Sequence, residues 1–76
     1  MDGKLPVIGG RAFVRFFLAR GFVKKRQTGS HIILTKAGIK RPLVVPNYKQ
    51  LSDDIIFSNL KTAGISREEF IRAQRR

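Results

Sequence analysis

The chain has 76 residues, a net charge of +11 from 16 lysines and arginines against five aspartates and glutamates, and no cysteine. This length suits a single domain spanning residues 1–76, and the lack of cysteine excludes disulfides and thiolate metal sites. One histidine and five carboxylates make a metal site or a bound cofactor unexpected, and no apolar run approaches the ~20 residues of a membrane span. The charge favours a polyanionic partner, namely RNA, DNA, an acidic protein or, least of all, an anionic membrane surface.

The N-terminal third predicts a lead-in followed by one amphipathic helix. Residues 1–10 form the lead-in and close with two glycines. The segment RAFVRFFLAR, from Arg11 to Arg20, predicts a helix, because at about 100° per residue its apolar side chains share one arc. Gly21 is placed to end the helix and Phe22 to fold back on its last turn. The apolar arc contains Phe13, Val14, Phe16, Phe17 and Leu18, which we expect in the core.

Three short strands follow, separated by turns. Their predicted bounds are Val23–Gln27, His31–Lys36 and Pro42–Val45. Strands joined by short turns are antiparallel, and successive side chains alternate between the two faces. This alternation predicts that His31 lies on the open face of the sheet, and that the helices cover Ile32, Leu34, Leu43 and Val45.

The C-terminal third predicts two helices. Ser52 is a suitable N-cap for the first, whose predicted buried stripe is Ile56, Phe57, Leu60 and Ala63. Gly64 ends it, and Ser66 with Glu69 then forms the pattern of a capping box, opening a short helix to about Ala73. Residues 74–76 are expected to fray. The whole is an α+β domain in the order α-β-β-β-α, with a three-stranded antiparallel sheet, helices on one face and a short C-terminal helix, as in double-stranded-RNA-binding domains.

Two motifs resemble those of the HicA-type mRNA interferase toxins, also called the YcfA-like family. These are RQTGSHI, residues 26–32, and AGISREEF, residues 63–70, with VVP, residues 44–46, between them. The resemblance extends over residues 5–71. This chain departs from the family at residues 47–49, which read Asn-Tyr-Lys where members often carry a second histidine, and at residues 52–54, which read Ser-Asp-Asp.

The resemblance implies a cytoplasmic endoribonuclease toxin with a double-stranded-RNA-binding-like fold, neutralised by a HicB-type antitoxin that we expect to be acidic. The histidine of the Gly-Ser-His motif is the family's essential residue and falls on His31. Gly29 would form the turn that aims it. Candidate contacts to the RNA substrate, expected to be mRNA, are Lys24, Lys25, Arg26, Ser30 and Lys36, although only alternate residues of a strand can share the face of His31.

Histidine suits RNA cleavage because imidazole populates both protonation forms near neutral pH. The 2′-hydroxyl of RNA supplies the nucleophile, so cleavage needs a base, an acid and positive charge around the phosphate. A single histidine serves one proton transfer at a time, with water, Tyr48 or a neighbouring cation left for the other. The sequence leaves open three alternatives: a non-catalytic RNA-binding domain, a module for an acidic protein, and an inactive family member that retains antitoxin binding.

Overall fold

A computed structural model of the chain describes residues 5–75 and confirms the predicted α+β architecture. The elements are α1 Gly10–Leu18, β1 Val23–Thr28, β2 His31–Thr35, β3 Leu43–Pro46, α2 Asp53–Ala63 and α3 Arg67–Gln74. Residues 1–4 of the predicted lead-in and residue 76 of the predicted tail lie outside the described residues. No helix within residues 5–75 is long and apolar enough to cross a membrane.

The three strands form one antiparallel sheet in the order β1-β2-β3, so β2 is central. The predicted division of the sheet into two faces is confirmed. One face is buried and carries Ile32, Leu34, Leu43 and Val45. The other is open, with His31 and Val44 exposed and Ile33 half-buried. The helices therefore leave one face of the sheet available to a partner.

Phenylalanine rings form the centre of the core on the helical side. The rings of Phe13 and Phe70 lie 5.4 Å apart, those of Phe16 and Phe70 5.1 Å, and those of Phe17 and Phe22 5.3 Å. Edge-to-face pairs at these distances are favourable for aromatic rings. The α1 phenylalanines are thus core residues, and Phe22 folds back after Gly21, whose φ is 93°.

Two apolar residues predicted to be buried are exposed. Leu18 is 44% exposed because it is the last residue of α1 and lies at the margin of the apolar arc. Phe57 is 38% exposed because it lies about 100° around α2 from Ile56, beyond the arc that faces the core. The guanidinium of Arg67 lies 4.9 Å from the Phe57 ring and covers part of it.

The predicted caps of α2 and α3 are confirmed except for one half of the capping box, whereas α1 ends at Leu18 with Ala19 as its C-cap, and not at Arg20 before Gly21. Ser52 and Ser66 are the N-caps of α2 and α3, and Gly64 ends α2 with a left-handed φ of 73°. The Ser66 hydroxyl accepts from the backbone N–H of Glu69 at 3.0 Å. In a complete capping box the Glu69 side chain would also accept from the backbone N–H of Ser66. Here the Glu69 carboxylate accepts instead from Arg20 Nε at 2.9 Å, and this bond links α3 to the end of α1.

The segment before α1 is part of the fold rather than a simple lead-in. Leu5 and Ile8 are buried, and the carbonyl of Ile8 accepts from the Leu51 N–H at 2.8 Å. Gly10 donates its N–H to the Tyr48 carbonyl at 2.9 Å. A Cβ added at Gly10 would overlap the Pro46 carbonyl oxygen. Glycine therefore allows the start of α1 to lie directly against the connection between β3 and α2.

Asn59, the one buried polar residue within residues 5–75, fixes α2 to the outer edge of the sheet. Its Nδ2 donates to the Val44 carbonyl at 3.0 Å and to the Ile55 carbonyl at 3.1 Å. Its Oδ1 accepts from the Val44 N–H at 3.3 Å. The side-chain amide thus takes the place of a fourth strand at Val44, whose backbone groups point away from β2.

We predict that Asn59→Leu lowers the free energy of unfolding by about 1–3 kcal/mol, because both backbone groups of Val44 lose their partners. For a domain of this size, the change corresponds to a fall in Tm of roughly 5–20 °C. Thermal denaturation followed by circular dichroism measures it. Ser58→Ala, at the exposed neighbouring position, is the control and should shift stability by no more than about 0.5 kcal/mol. Equal Tm values for Asn59→Leu and the wild type would contradict the structural role of the amide.

Candidate functional site

His31 is the first residue of β2 and follows a two-residue turn. Thr28 and His31 pair across the hairpin, so the loop consists of Gly29 and Ser30. Gly29 has a φ of 59°, and a Cβ built there would meet no atom within 4 Å. Glycine is therefore needed for its backbone conformation and not for space. A glycine with positive φ at the first loop position is the requirement of a type II′ turn, whose twist matches the two strands.

The other side of His31 is held by β3. His31 lies opposite Pro46, and the Asn47 N–H donates to the Ser30 carbonyl at 2.6 Å. The ladder between β2 and β3 therefore continues past Pro46 although proline has no N–H to donate. Pro46 is tolerated because, in the alternating antiparallel pattern, its position does not donate towards β2. Pairing on both sides fixes the backbone from which the imidazole projects.

The His31 side chain is exposed on the open face. Its imidazole makes no hydrogen bond or ion pair with any residue in the range 5–75. An enclosed ring, or one held in a permanent internal contact, would have excluded direct chemistry on a bound polymer. The imidazole is instead accessible, and its two nitrogens are available to a ligand.

A β-bulge divides the basic run of β1 between the two faces. Lys24 pairs with Leu34 of the covered face, whereas Arg26 pairs with Ile33 of the open face, and the extra residue is Lys25. A regular strand would have placed Lys24 and Arg26 on one face together. The hydrogen bond from Lys24 Nζ to Gln27 Oε1, at 3.2 Å, joins two residues of the covered side.

Arg26 is the basic residue of the run that shares the open face with His31. It is one diagonal position from the histidine, because Thr28 lies directly opposite His31 and Arg26 opposite Ile33. Diagonal neighbours in an antiparallel sheet have Cβ atoms ~7–8 Å apart, a distance that a guanidinium can span towards a group held at the imidazole.

The two remaining candidate contacts lie at opposite ends of β2. Ser30 is exposed in the turn, adjacent to His31. Lys36 is five residues beyond the histidine, roughly 16 Å along an extended strand. Its Nζ lies 5.4 Å from the centre of the Phe22 ring, at the other end of the sheet. The structure thus brings Arg26, Gly29 and Ser30 together with His31 and places Lys36 apart from them.

Charge in the described part of the chain is strongly segregated. No acidic residue occurs between Asp2 and Asp53, so α1 and all three strands carry cationic and neutral side chains alone. The four acidic residues within residues 5–75 lie in the first turns of α2 and α3, where the helix dipoles favour them. Within the same range, no three His, Asp or Glu side chains come close enough together to bind a metal ion.

A basic groove beside the hairpin was missed in the sequence. It lies between the first turns of α1 and the β3–α2 connection, and its side chains include Arg11, Arg15, Tyr48 and Lys49. Sequence periodicity predicted α1 from its apolar face and gave no functional role to the side chains on its outer face. The available signal was the glycine pair Gly9-Gly10 at the start of the helix, which permits close backbone approach.

One comparison with known proteins identifies a family. A family model described as "HicA toxin of bacterial toxin-antitoxin" matches residues 10–65, which include α1, the whole sheet and α2. Searches of curated proteins and of solved structures return no significant match. The matched region contains His31 and the turn that positions it.

We predict that Gly29→Ala lowers the free energy of unfolding by about 1–2 kcal/mol, the cost of a left-handed backbone at a residue with a Cβ. Gly29→Asn should lose a comparable amount, since the first loop position of a type II′ turn favours glycine over residues with a Cβ. Equilibrium denaturation in urea measures both. Ser30→Ala is the matched control in the same loop and should be near neutral. Wild-type stability for Gly29→Ala would show that the turn does not depend on a positive φ.

Proposed function

Because the chain belongs to the HicA family of toxins from bacterial toxin–antitoxin systems, we propose that it is an endoribonuclease that cleaves mRNA in the cytoplasm. In this proposal His31 is the catalytic residue and acts as a general acid or base. The observation that carries the proposal is the exposed imidazole, fixed by strand pairing on both sides and located on the open face one diagonal position from Arg26.

RNA brings its own nucleophile to this site. The 2′-oxygen attacks the adjacent phosphorus while its proton passes to a base, and the bond from phosphorus to the 5′-oxygen breaks as that oxygen receives a proton from an acid. The products are a 2′,3′-cyclic phosphate and a 5′-hydroxyl. The imidazole of His31 performs one of the two proton transfers, and the reaction calls on no cofactor. The second transfer falls to water or to another group beside the histidine.

Positive charge beside the histidine supports the same reaction. The attacked phosphate carries increased negative charge in the transition state, and preorganised cations lower its energy. Arg26 is the nearest candidate by register, and Ser30 can donate a hydrogen bond from the turn. Lys24, Lys25 and Lys36 contribute to the general attraction of RNA from their positions around the sheet.

Membership of the family implies an antitoxin partner, and we propose that it is an acidic protein of the HicB type. The open face offers an apolar strip that starts two residues from the histidine, at Ile33, and extends away from it to the level of Thr35. It consists of Val23, which is 59% exposed, Val44, which is 42% exposed, and half-buried Ile33 between them. An acidic protein seated there would cover His31 and Arg26. Charge complementarity would accelerate its association and make the rate fall with salt.

We predict that His31→Ala lowers the rate of RNA cleavage by about 10²–10⁴-fold, the contribution of one positioned acid or base. Its stability should stay within about 0.5 kcal/mol of wild type, because the side chain is exposed. Cleavage of a labelled RNA by the purified proteins, with growth arrest on expression, provides the measurement. Thr35→Ala is the matched control, since Thr35 shares the strand and the face but is roughly 13 Å from His31.

Wild-type cleavage by a folded His31→Ala variant would overturn the catalytic assignment. Salt-dependent RNA binding without cleavage, in both proteins, would show the non-catalytic RNA-binding domain instead. Binding of the antitoxin without any RNA cleavage by the wild-type protein would identify an inactive toxin.

A further inference from the structure

The groove between α1 and the β3–α2 connection has no role in the proposed cleavage step. It encloses about 350 Å³ and is open to solvent along one side. Its floor is formed where Gly9 and Gly10 meet the backbone of residues 46–49. A Cβ at Gly9 would lie 2.7 Å from the Lys49 carbonyl oxygen, so the glycines are needed to bring the two walls together.

One residue of the groove is bonded to the turn that precedes the histidine. Asn47 lines the groove, and its N–H donates to the carbonyl of Ser30, the residue that precedes His31. The residue before Asn47 is Pro46, which lies opposite His31 in the sheet. The groove and the imidazole are therefore separated in the chain by the end of β3, at Pro46 and Asn47.

The side chains around the groove are cationic. Arg11, Arg15 and Lys49 are exposed, and none of the lining residues is acidic. Arg11 and Arg15 are four positions apart on α1, where like charges face each other and repel. Within residues 5–75 the one arginine that has a carboxylate partner is Arg20, which pairs with Glu69. A polyanion in the groove would relieve the repulsion between the two α1 arginines.

The aromatic ring of Tyr48 lies in the same groove as these cationic side chains. Tyr48 is 50% exposed and takes no part in the phenylalanine cluster of the core. Its backbone is fixed by the hydrogen bond from Gly10, so the ring is presented from a rigid segment. Cations along a groove with an exposed aromatic ring are the combination by which proteins hold single-stranded nucleic acid.

We propose that this groove holds the single-stranded RNA chain that leads to His31. The ring of Tyr48 stacks on one unpaired base, while Arg11, Arg15 and Lys49 neutralise the flanking phosphates. The inference rests on the proposed endoribonuclease function and specifies its substrate as unpaired RNA. A base within a duplex is stacked between its neighbours on both faces and has no face left for Tyr48.

Binding of an RNA oligonucleotide in which every 2′-hydroxyl is methylated tests the proposal. This probe lacks the nucleophile, so binding is measured without cleavage and without dependence on the role of His31. Fluorescence anisotropy should show that Tyr48→Ala weakens binding of the single strand by about 10-fold or more. Tyr48→Phe and Tyr48→Trp keep a stacking ring and should bind like the wild type. The same oligonucleotide annealed to its complement should bind without sensitivity to Tyr48→Ala.

The cations are tested by the salt dependence of the same binding. Arg15→Gln and Lys49→Gln should each reduce the slope of log K against log salt by about 0.7, the value for one lost phosphate contact to a single strand. Lys61→Gln is the matched control, an exposed lysine in the last turn of α2 and outside this groove. It should leave the slope unchanged.

The groove assignment is overturned if Tyr48→Ala binds the single strand as tightly as wild type, or if Tyr48→Phe weakens binding as much as Tyr48→Ala. It is equally overturned if the groove variants weaken antitoxin binding but not RNA binding, since the occupant is then an acidic protein. These outcomes leave the cleavage assay of His31→Ala untouched, so failure of the groove and failure of the endoribonuclease proposal are separately visible.

Discussion

The hydrogen bond from the Asn47 N–H to the Ser30 carbonyl joins the two parts of the molecule on which the proposed function depends. On one side of this bond is the hairpin turn that presents His31. On the other is the connection from β3 to α2, against which α1 packs through Gly9 and Gly10. The bond is possible because β3 continues its pairing one residue beyond Pro46. It therefore links the turn before the histidine directly to a residue that lines the basic groove.

Charge segregation provides the second physical constraint. Fifty consecutive residues, from position 3 to position 52, contain no carboxylate, and this stretch forms α1 and the whole sheet. Such a concentration of like charge opposes folding through self-repulsion, and an anionic partner relieves that repulsion. The carboxylates of α2 and α3 are used within the fold, at helix N-termini and in the ion pair between Glu69 and Arg20. In the proposed function, a nucleic acid and an acidic antitoxin would therefore compete for this one cationic surface.

Local signals in the sequence were sufficient for the element order and for the face on which His31 lies. Periodicity located α1, alternation located the buried side of β2 and β3, and Ser52 and Gly64 marked the ends of α2. The features that were missed depend on contacts between distant segments. The bulge at Lys25 separates Lys24 from Arg26, yet nothing in a run of three basic residues indicates where a strand gains an extra residue. The sequence alone suggests a surface position for Asn59, because its burial depends on the contact with β3. It suggests a core position for Phe57, because the exposure of this ring depends on how α2 is rotated about its own axis.

The central claim is that the exposed imidazole of His31 exchanges a proton while the 2′-hydroxyl of RNA attacks its own phosphate. The most direct measurement is the chemistry of the RNA ends that the purified protein produces from a defined single strand. We expect a 5′-hydroxyl on one fragment and a 2′,3′-cyclic phosphate on the other, with no cleavage at a site that carries a single 2′-deoxy sugar. Fragments with a 5′-phosphate, or cleavage that persists at the deoxy position, would contradict it.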